Sequence, residues 1–494
     1  MVFKLALFSM LLLEGVSLLA FVWPVLALPL LMVVAAAVFV LAWRRPEFGI
    51  YLLFGELFIG SRGHLLEYKF LSLRVVVFMA VFLAWASNVI LSIAKNLKAE
   101  NRFFGLWPQN DGLGWKYSIL LIAIGWGIAN GALRGNSLSN IFYDANGYLY
   151  LLILPAVISV IKSREQIEKL LQILAAAIIV IALKTLTLFL WFTFGWPGVA
   201  TLYHWVMARD IGEITGEVGS ASRIFMQSQF WALMGIFIFI PFTLPSPLPS
   251  REGNQENNSS PLVGEVRWGV IIAAIFSVIF SLSRSFWLGG TAGAVFLVAM
   301  LLFYFRERFM KVLRLSAMLI FIALVAVGFL SAVGALAGAS VTVASRSGNP
   351  AAEAAGGARL LLLPELLAEI REAPIFGKGF GELVSYKSYL PDRVRPDNPD
   401  GTITAYAFEW GYLDTALKVG ALGLIIYLLF VGHIFAKGWK AVQIQNSKFK
   451  MQNLGVLSGL VALLVLNITT PYLNHPLGIG YLLFAILNFK NFEF

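Results

Sequence analysis

The sequence predicts an all-α fold, a polytopic transmembrane helical bundle of about 12–14 spans, and three observations carry that prediction. Hydrophobic residues make up 59% of the chain and charged residues 13%, whereas a soluble domain has about 45–50% and about 25%. Apolar runs of roughly 15–25 residues recur along its whole length, and about 20 helical residues cross the hydrocarbon layer. The runs lack the strict alternation of a membrane β-barrel, so helices are favoured.

In chain order the spans fall at 4–22, 26–43, 48–61, 75–94, 117–133, 148–162, 170–194, 226–244, 268–282, 285–305, 316–338, 411–435, 453–470 and 477–490. The first run has Lys4 before an apolar core, as a signal peptide would. A second run follows at once and no small-residue cleavage site stands out, so it reads as the first span. Residues 1–338 form a membrane frame, interrupted at 245–264 by Pro-, Ser- and Asn-rich sequence with the composition of a disordered linker. A polar loop at 339–410 should contain short helices, and 411–494 returns to the membrane.

Lys and Arg counts orient the bundle. With the N-terminus inside, the inner loops hold the larger share, including Arg44 and Arg45, Lys95 to Lys116, Arg306 to Arg314 and Lys437 to Lys450. Both termini are therefore expected on the cytoplasmic side, with the long loop facing outward. The net charge of +10 follows from these short loops, so no nucleic-acid partner is expected. Without cysteine the chain has no disulfide or thiolate site. His64, His204, His433 and His475 show no metal-ligand spacing, so neither a metal nor a cofactor is expected.

The residues able to carry chemistry gather on the predicted outer side. Arg284 lies in Ser281-Leu-Ser-Arg284-Ser-Phe-Trp287, between two spans with almost no loop. A guanidinium there must snorkel or pair with an anion, since burying it in hydrocarbon costs about 3 kcal/mol. Arg223 stands where another outer loop enters a span, and Arg359 precedes an apolar segment. From Pro364 onward that segment suits a short helix lying on the membrane, with Pro in its first turn and Leu366, Leu367 and Ile370 on one face. Three arginines can clamp a diphosphate through paired N–H donors. The 195–224 loop sets Trp196, Tyr203, His204 and Trp205 beside Asp210, Glu213 and Glu217, which suits an interfacial belt or a sugar-facing surface.

Gly377-Lys378-Gly379-Phe-Gly381 follows no strand, so its glycines serve a sharp turn and close backbone approach and not a nucleotide loop. Asp414 and Lys418 stand four apart and can pair on one helix face. Glu409 has no partner in that segment. It is either a general-base candidate or a solvated helix-start acid. Lys184, inside a predicted span, is either functional or paired with a neighbouring helix.

The Ser-Arg284-Ser hairpin, then Arg359, Pro374-Ile-Phe-Gly-Lys-Gly-Phe-Gly, and Tyr412-Leu413 ahead of Gly420 and Gly423 resemble the O-antigen ligase and O-antigen polymerase superfamily of bacterial membrane glycosyltransferases. The resemblance implies an outward cavity that receives a glycan on a polyprenyl diphosphate. A saccharide or lipid acceptor hydroxyl attacks the anomeric carbon and lipid diphosphate leaves. Carried over, Arg284 and Arg359 become catalytic, with Arg223, Lys378 and Tyr412 binding substrate. One departure matters: many ligases of the family have His-Asn where this chain has Glu409-Trp410. Glu409 is then the candidate base, and the departure tilts the expectation towards a polymerase of lipid-linked repeat units. A ligase is the near alternative. A polysaccharide or lipid-linked oligosaccharide flippase is the alternative of another class.

Overall fold

The computed structural model describes residues 1–69, 71–95, 112–215, 222–243, 264–306, 309–336, 354–388, 398–444 and 447–490. The linker expected at 245–264 lies outside them except for Gly264, as does Glu217. Among the described residues, ten helices are long and apolar enough to cross a membrane, and three shorter apolar ones accompany them. The chain is a multi-pass all-α membrane protein.

The N-terminal part comprises α1 (Val2–Val22), α2 (Ala27–Arg44), α3 (Pro46–Ile59), α4 (Leu73–Lys95), α5 (Leu113–Leu133), α6 (Leu138–Ala145), α7 (Leu154–Val160) and α8 (Arg164–Phe194). A 3-10 segment joins α6 to α7, so Leu138–Val160 acts as one apolar span. Its start lies ten residues before the expected span at 148–162. Helix α8 begins with a capping box, Ser163 against Gln166, and ends at Gly195 in the left-handed conformation. Lys184 of α8 pairs with Glu14 of α1, which answers the question its sequence position raised.

After α9 (Val199–Ala208), a hairpin of β1 (Gly212–Thr215) and β2 (Arg223–Met226) leads into α10 (Gln229–Phe239). Then come α11 (Gly264–Phe280), α12 (Arg284–Ala299) and α13 (Phe309–Leu336). The long loop holds α14 (Ala354–Glu372) and a further antiparallel hairpin, β3 (Val384–Lys387) with β4 (Thr402–Ala405). Helices α15 (Gly411–Ile444), α16 (Ser447–Leu466) and α17 (Pro476–Asn488) complete the chain. The short helices α10 and α17 are buried almost all round, as expected of helices that are apolar on every face.

The loop corrects one expectation. Pro364 lies inside α14 and not in the first turn of a helix, because the helix already begins at Ala354. Its apolar face is also used differently. Leu362, Leu366 and Ile370, spaced by four, pack against Val384, Phe408 and Leu417. The helix thus rests on its own hairpin and on α15 through that face. The two-stranded hairpins are an addition to the helices foreseen in the loops.

Candidate functional site

Helix α15 is broken at Gly420, whose φ of 74° and ψ of 177° are non-helical. The break exposes backbone groups that the helix would otherwise satisfy, and hydrocarbon offers them no water. The segment after α14 takes their place. The N–H groups of Lys378 and Gly379 donate to the carbonyls of Leu417 (2.6 Å) and Lys418 (3.0 Å), while Ala421 and Leu422 donate to the carbonyls of Pro374 (2.8 Å) and Ile375 (3.2 Å). On its other side Phe380 donates to Gly127 of α5 (3.0 Å), and the Asn130 side chain donates to Gly377 (2.9 Å). The glycines are needed for this close approach. Gly379 has φ 88° and a Cβ there would lie 2.1 Å from the nitrogen of Gly131. The loop is therefore a splice between α5 and the broken helix.

Below the break lies a buried ionic triad. Lys418 Nζ donates to Asp144 of α6 and to Asp414 (2.6 Å), one turn back on α15. Asp144 also accepts from the N–H of Gly381 (2.9 Å). Asp414 accepts from the Asn474 amide (2.6 Å) and from the N–H of Phe408 (3.3 Å). All three side chains are almost wholly enclosed. Each carboxylate has several donors, so the desolvation of two anions and one cation is offset by hydrogen bonds. The predicted Asp414–Lys418 pair is present, but Asp144 was missed. Extending the span expected at 148–162 back to Leu138 would have enclosed this acid and required a cation for it.

At the mouth of α15 the carboxylate of Glu409 pairs with Arg359 of α14. Both remain partly open to their surroundings, with side-chain exposures of 28% for Arg359 and 52% for Glu409. The pair is framed by Trp410, whose indole N–H donates to the Arg359 carbonyl (3.0 Å). The partner that Glu409 lacks in its own segment thus comes from the loop helix.

Arg223 is fastened to the turn that precedes α12. Arg223 Nε donates to the carbonyl of Ser281 (2.9 Å), three residues before Arg284, and its guanidinium also meets Glu213 (3.8 Å) and the Phe225 ring. Arg284, partly exposed, is the first residue of α12. Its neighbour Ser285 accepts from Thr470 (2.9 Å), just beyond α16. The end of α16 also meets α15, because the Tyr412 hydroxyl donates to Leu464 (2.6 Å). The turn after α16 therefore links the Arg223–Arg284 hairpin to the start of α15, two residues past Glu409.

Lys378 sits elsewhere. Its ammonium contacts Glu369, Glu372 (2.6 Å) and Glu382 (3.7 Å). Glu369 and Glu372 are ten and thirteen residues beyond Arg359 on α14, about 15–20 Å at 1.5 Å per residue. Burial alone would lower the Lys378 pKa, but hydrogen bonds to Glu369 and Glu372 hold it above the ordinary lysine value. The hydrogen bond from Lys378 holds Glu372 below the ordinary glutamate value.

These features define a multi-pass helical membrane protein with an arginine–carboxylate pair at the mouth of a spliced helix. Residues 269–428, about a third of the chain, match the family model described as O-Antigen ligase, so this segment is similar to that family. The match spans Arg284, Arg359, Lys378, Glu409 and Tyr412 and leaves Arg223 outside. No curated protein matches the chain.

Proposed function

We propose that the protein is a membrane glycosyltransferase of the ligase type, which moves a glycan from a polyprenyl diphosphate to an acceptor hydroxyl at the outer face of the membrane. The observation that carries this reading is the pairing of Arg359 with Glu409 at the mouth of α15. In the structure the arginine holds the carboxylate. A diphosphate entering beside Arg284 and Arg223 competes for Arg359 through its oxygens, for which a guanidinium is well shaped. Glu409 is then freed to accept the acceptor's proton. The acceptor oxygen forms a bond to the anomeric carbon, the bond from that carbon to the diphosphate oxygen breaks, and the arginines stabilise the departing charge.

The family description favours a ligase over the polymerase that the Glu409-Trp410 departure suggested. Deleting the gene and analysing the glycans separates the two. Polymer still made but stranded on its lipid carrier is the ligase result. Loss of long chains altogether would overturn it in favour of polymerisation.

A broken helix is also a feature of transporters. Here the Pro374–Gly379 segment satisfies the backbone groups on both sides of Gly420, which supports a fixed splice. Purified protein that moved lipid-linked glycan across vesicles without forming a bond would restore the flippase reading.

A further inference from the structure

We infer that Asn474 is a positioning residue: through Asp414 it holds Glu409 at a fixed place relative to Arg284. The inference rests on the transfer reading above and adds a residue that lies beyond the matched segment. Glu409 stands in a short approach to α15 that has no helix or strand of its own. Asp414 grips the residues on both sides of it. The Asp414 carboxylate accepts from the N–H of Phe408 (3.3 Å), and the Asp414 N–H donates to the carbonyl of Trp410 (2.7 Å). The other carboxylate oxygen accepts from the Asn474 amide (2.6 Å). That amide also donates to the Gly411 carbonyl (3.4 Å), and its oxygen accepts from the Thr415 hydroxyl (3.0 Å). One side chain thus clips three residues at the start of α15. Lys418 and Asp144 tie the same cluster to α6, whereas Asn474 ties it towards α12.

Asn474 sits in the turn between α16 and α17, and the other end of that turn holds the start of α12. Thr469 and Thr470 donate to the Ser285 hydroxyl (3.3 and 2.9 Å), and Ser285 follows Arg284. Within the turn, Tyr472 donates to the Thr470 carbonyl (2.7 Å), Asn474 to the Pro471 carbonyl (3.1 Å) and Leu473 to the Asn467 side chain (2.8 Å). Close backbone contact fixes both flanks. A Cβ on Gly289 of α12 would lie 2.8 Å from the Ala462 carbonyl of α16, and one on Gly411 would lie 2.5 Å from the Asn467 carbonyl. A chain of hydrogen bonds and peptide links therefore runs from Glu409 through Asp414, Asn474 and Thr470 to Arg284. A transfer that needs a proton acceptor and a cation around one reacting bond depends on their separation, and a misplacement of about 1 Å costs about 10²-fold.

Transfer from a synthetic polyprenyl-diphosphate oligosaccharide is measured for Asn474→Ala, for Glu409→Gln and for the two combined. Asn474→Ala should lower kcat by about 10²-fold and change KM by less than about twofold, since it touches no substrate. The double variant should be no slower than Glu409→Gln, because a residue that acts through another adds nothing once that other is gone. Ser285→Ala cuts the chain at its far end and takes the place of Asn474→Ala should that variant not fold. A second readout needs no transfer. The chain has no cysteine, so nitroxides on Ala407→Cys and Leu288→Cys, both exposed positions, report the distance across the chain for protein in vesicles. Asn474→Ala should shift or broaden that distance distribution. An unchanged distribution, a further loss in the double variant, or a lower unfolding midpoint with kcat per folded molecule unchanged overturns the inference. A changed distribution in a protein that transfers no glycan removes the transferase reading alone.

Discussion

Two ion clusters on α15 and its approach, five residues apart in sequence, have opposite consequences. The Asp144–Lys418–Asp414 triad is enclosed and saturated with hydrogen bonds, and it ties α6, the glycine loop and α15 into one junction. The Arg359–Glu409 pair is partly exposed, and an exposed pair contributes at most about 1 kcal/mol to stability. The same chemistry therefore serves structure where it is closed off and remains available to a ligand where it is open. Asp414 connects the two, since it accepts from Phe408, the residue before Glu409.

The largest effects expected are on activity at the open end. Arg284→Ala and Arg359→Ala should each lower glycan transfer by about 10²–10³-fold, the usual loss on removing one stabiliser of a developing anion. Circular dichroism and chromatography of the purified variants should show intact folding. Transfer at the native rate by both would blur the contrast between the clusters.

At the closed end the expected effect is on stability. Lys418→Met leaves two carboxylates buried without their cation, and removing one partner of a buried pair costs about 3–5 kcal/mol. The midpoint of denaturant unfolding should fall accordingly. An unchanged midpoint would mean that the triad is not holding the junction together.

The splice should be sensitive as well. Gly379→Ala forces a side chain into the left-handed region, at a cost of about 1–3 kcal/mol, and against the backbone of Gly131. Thermal melts should show a lower midpoint, whereas Gly135→Ala, left-handed but with open space around it, should lose less.

The Lys378 cluster should give the smallest effect, visible in its pH dependence. Glu372 has a depressed pKa in the folded protein. Its contribution is present above the unfolded glutamate pKa, about 4.3, and is lost as pH falls through the lower folded value. Lys378 is raised, so its contribution is present below the unfolded lysine pKa, about 10.4, and is lost as pH rises through the folded one. Lys378→Met should flatten stability against pH at both extremes.

Much of the frame is legible in the sequence because long apolar runs have few structural outcomes in a bilayer. Glycines 377, 379 and 381 also announced close backbone approach, since their spacing follows no strand. What they approach was not legible, because the partners Gly127, Gly131 and Leu417 are far away in the chain. Asp144 stayed hidden for a related reason: Lys418 already had a partner four residues away, so nothing demanded a second. The Arg359–Glu409 pair joins residues 50 apart, and no local periodicity reports such a meeting. Arg284 could be singled out because a cation between two tightly joined spans has few places to go.

The most direct test of the account is to measure stability and transfer on one protein, Glu409→Gln. The substitution keeps the side chain's shape while removing the charge and the capacity to accept a proton. The account predicts a transfer rate lower by about 10²–10⁴-fold, the range for a lost general base, with unfolding free energy changed by less than about 1 kcal/mol. A native transfer rate, or a loss of rate matched by loss of folded protein, would contradict it.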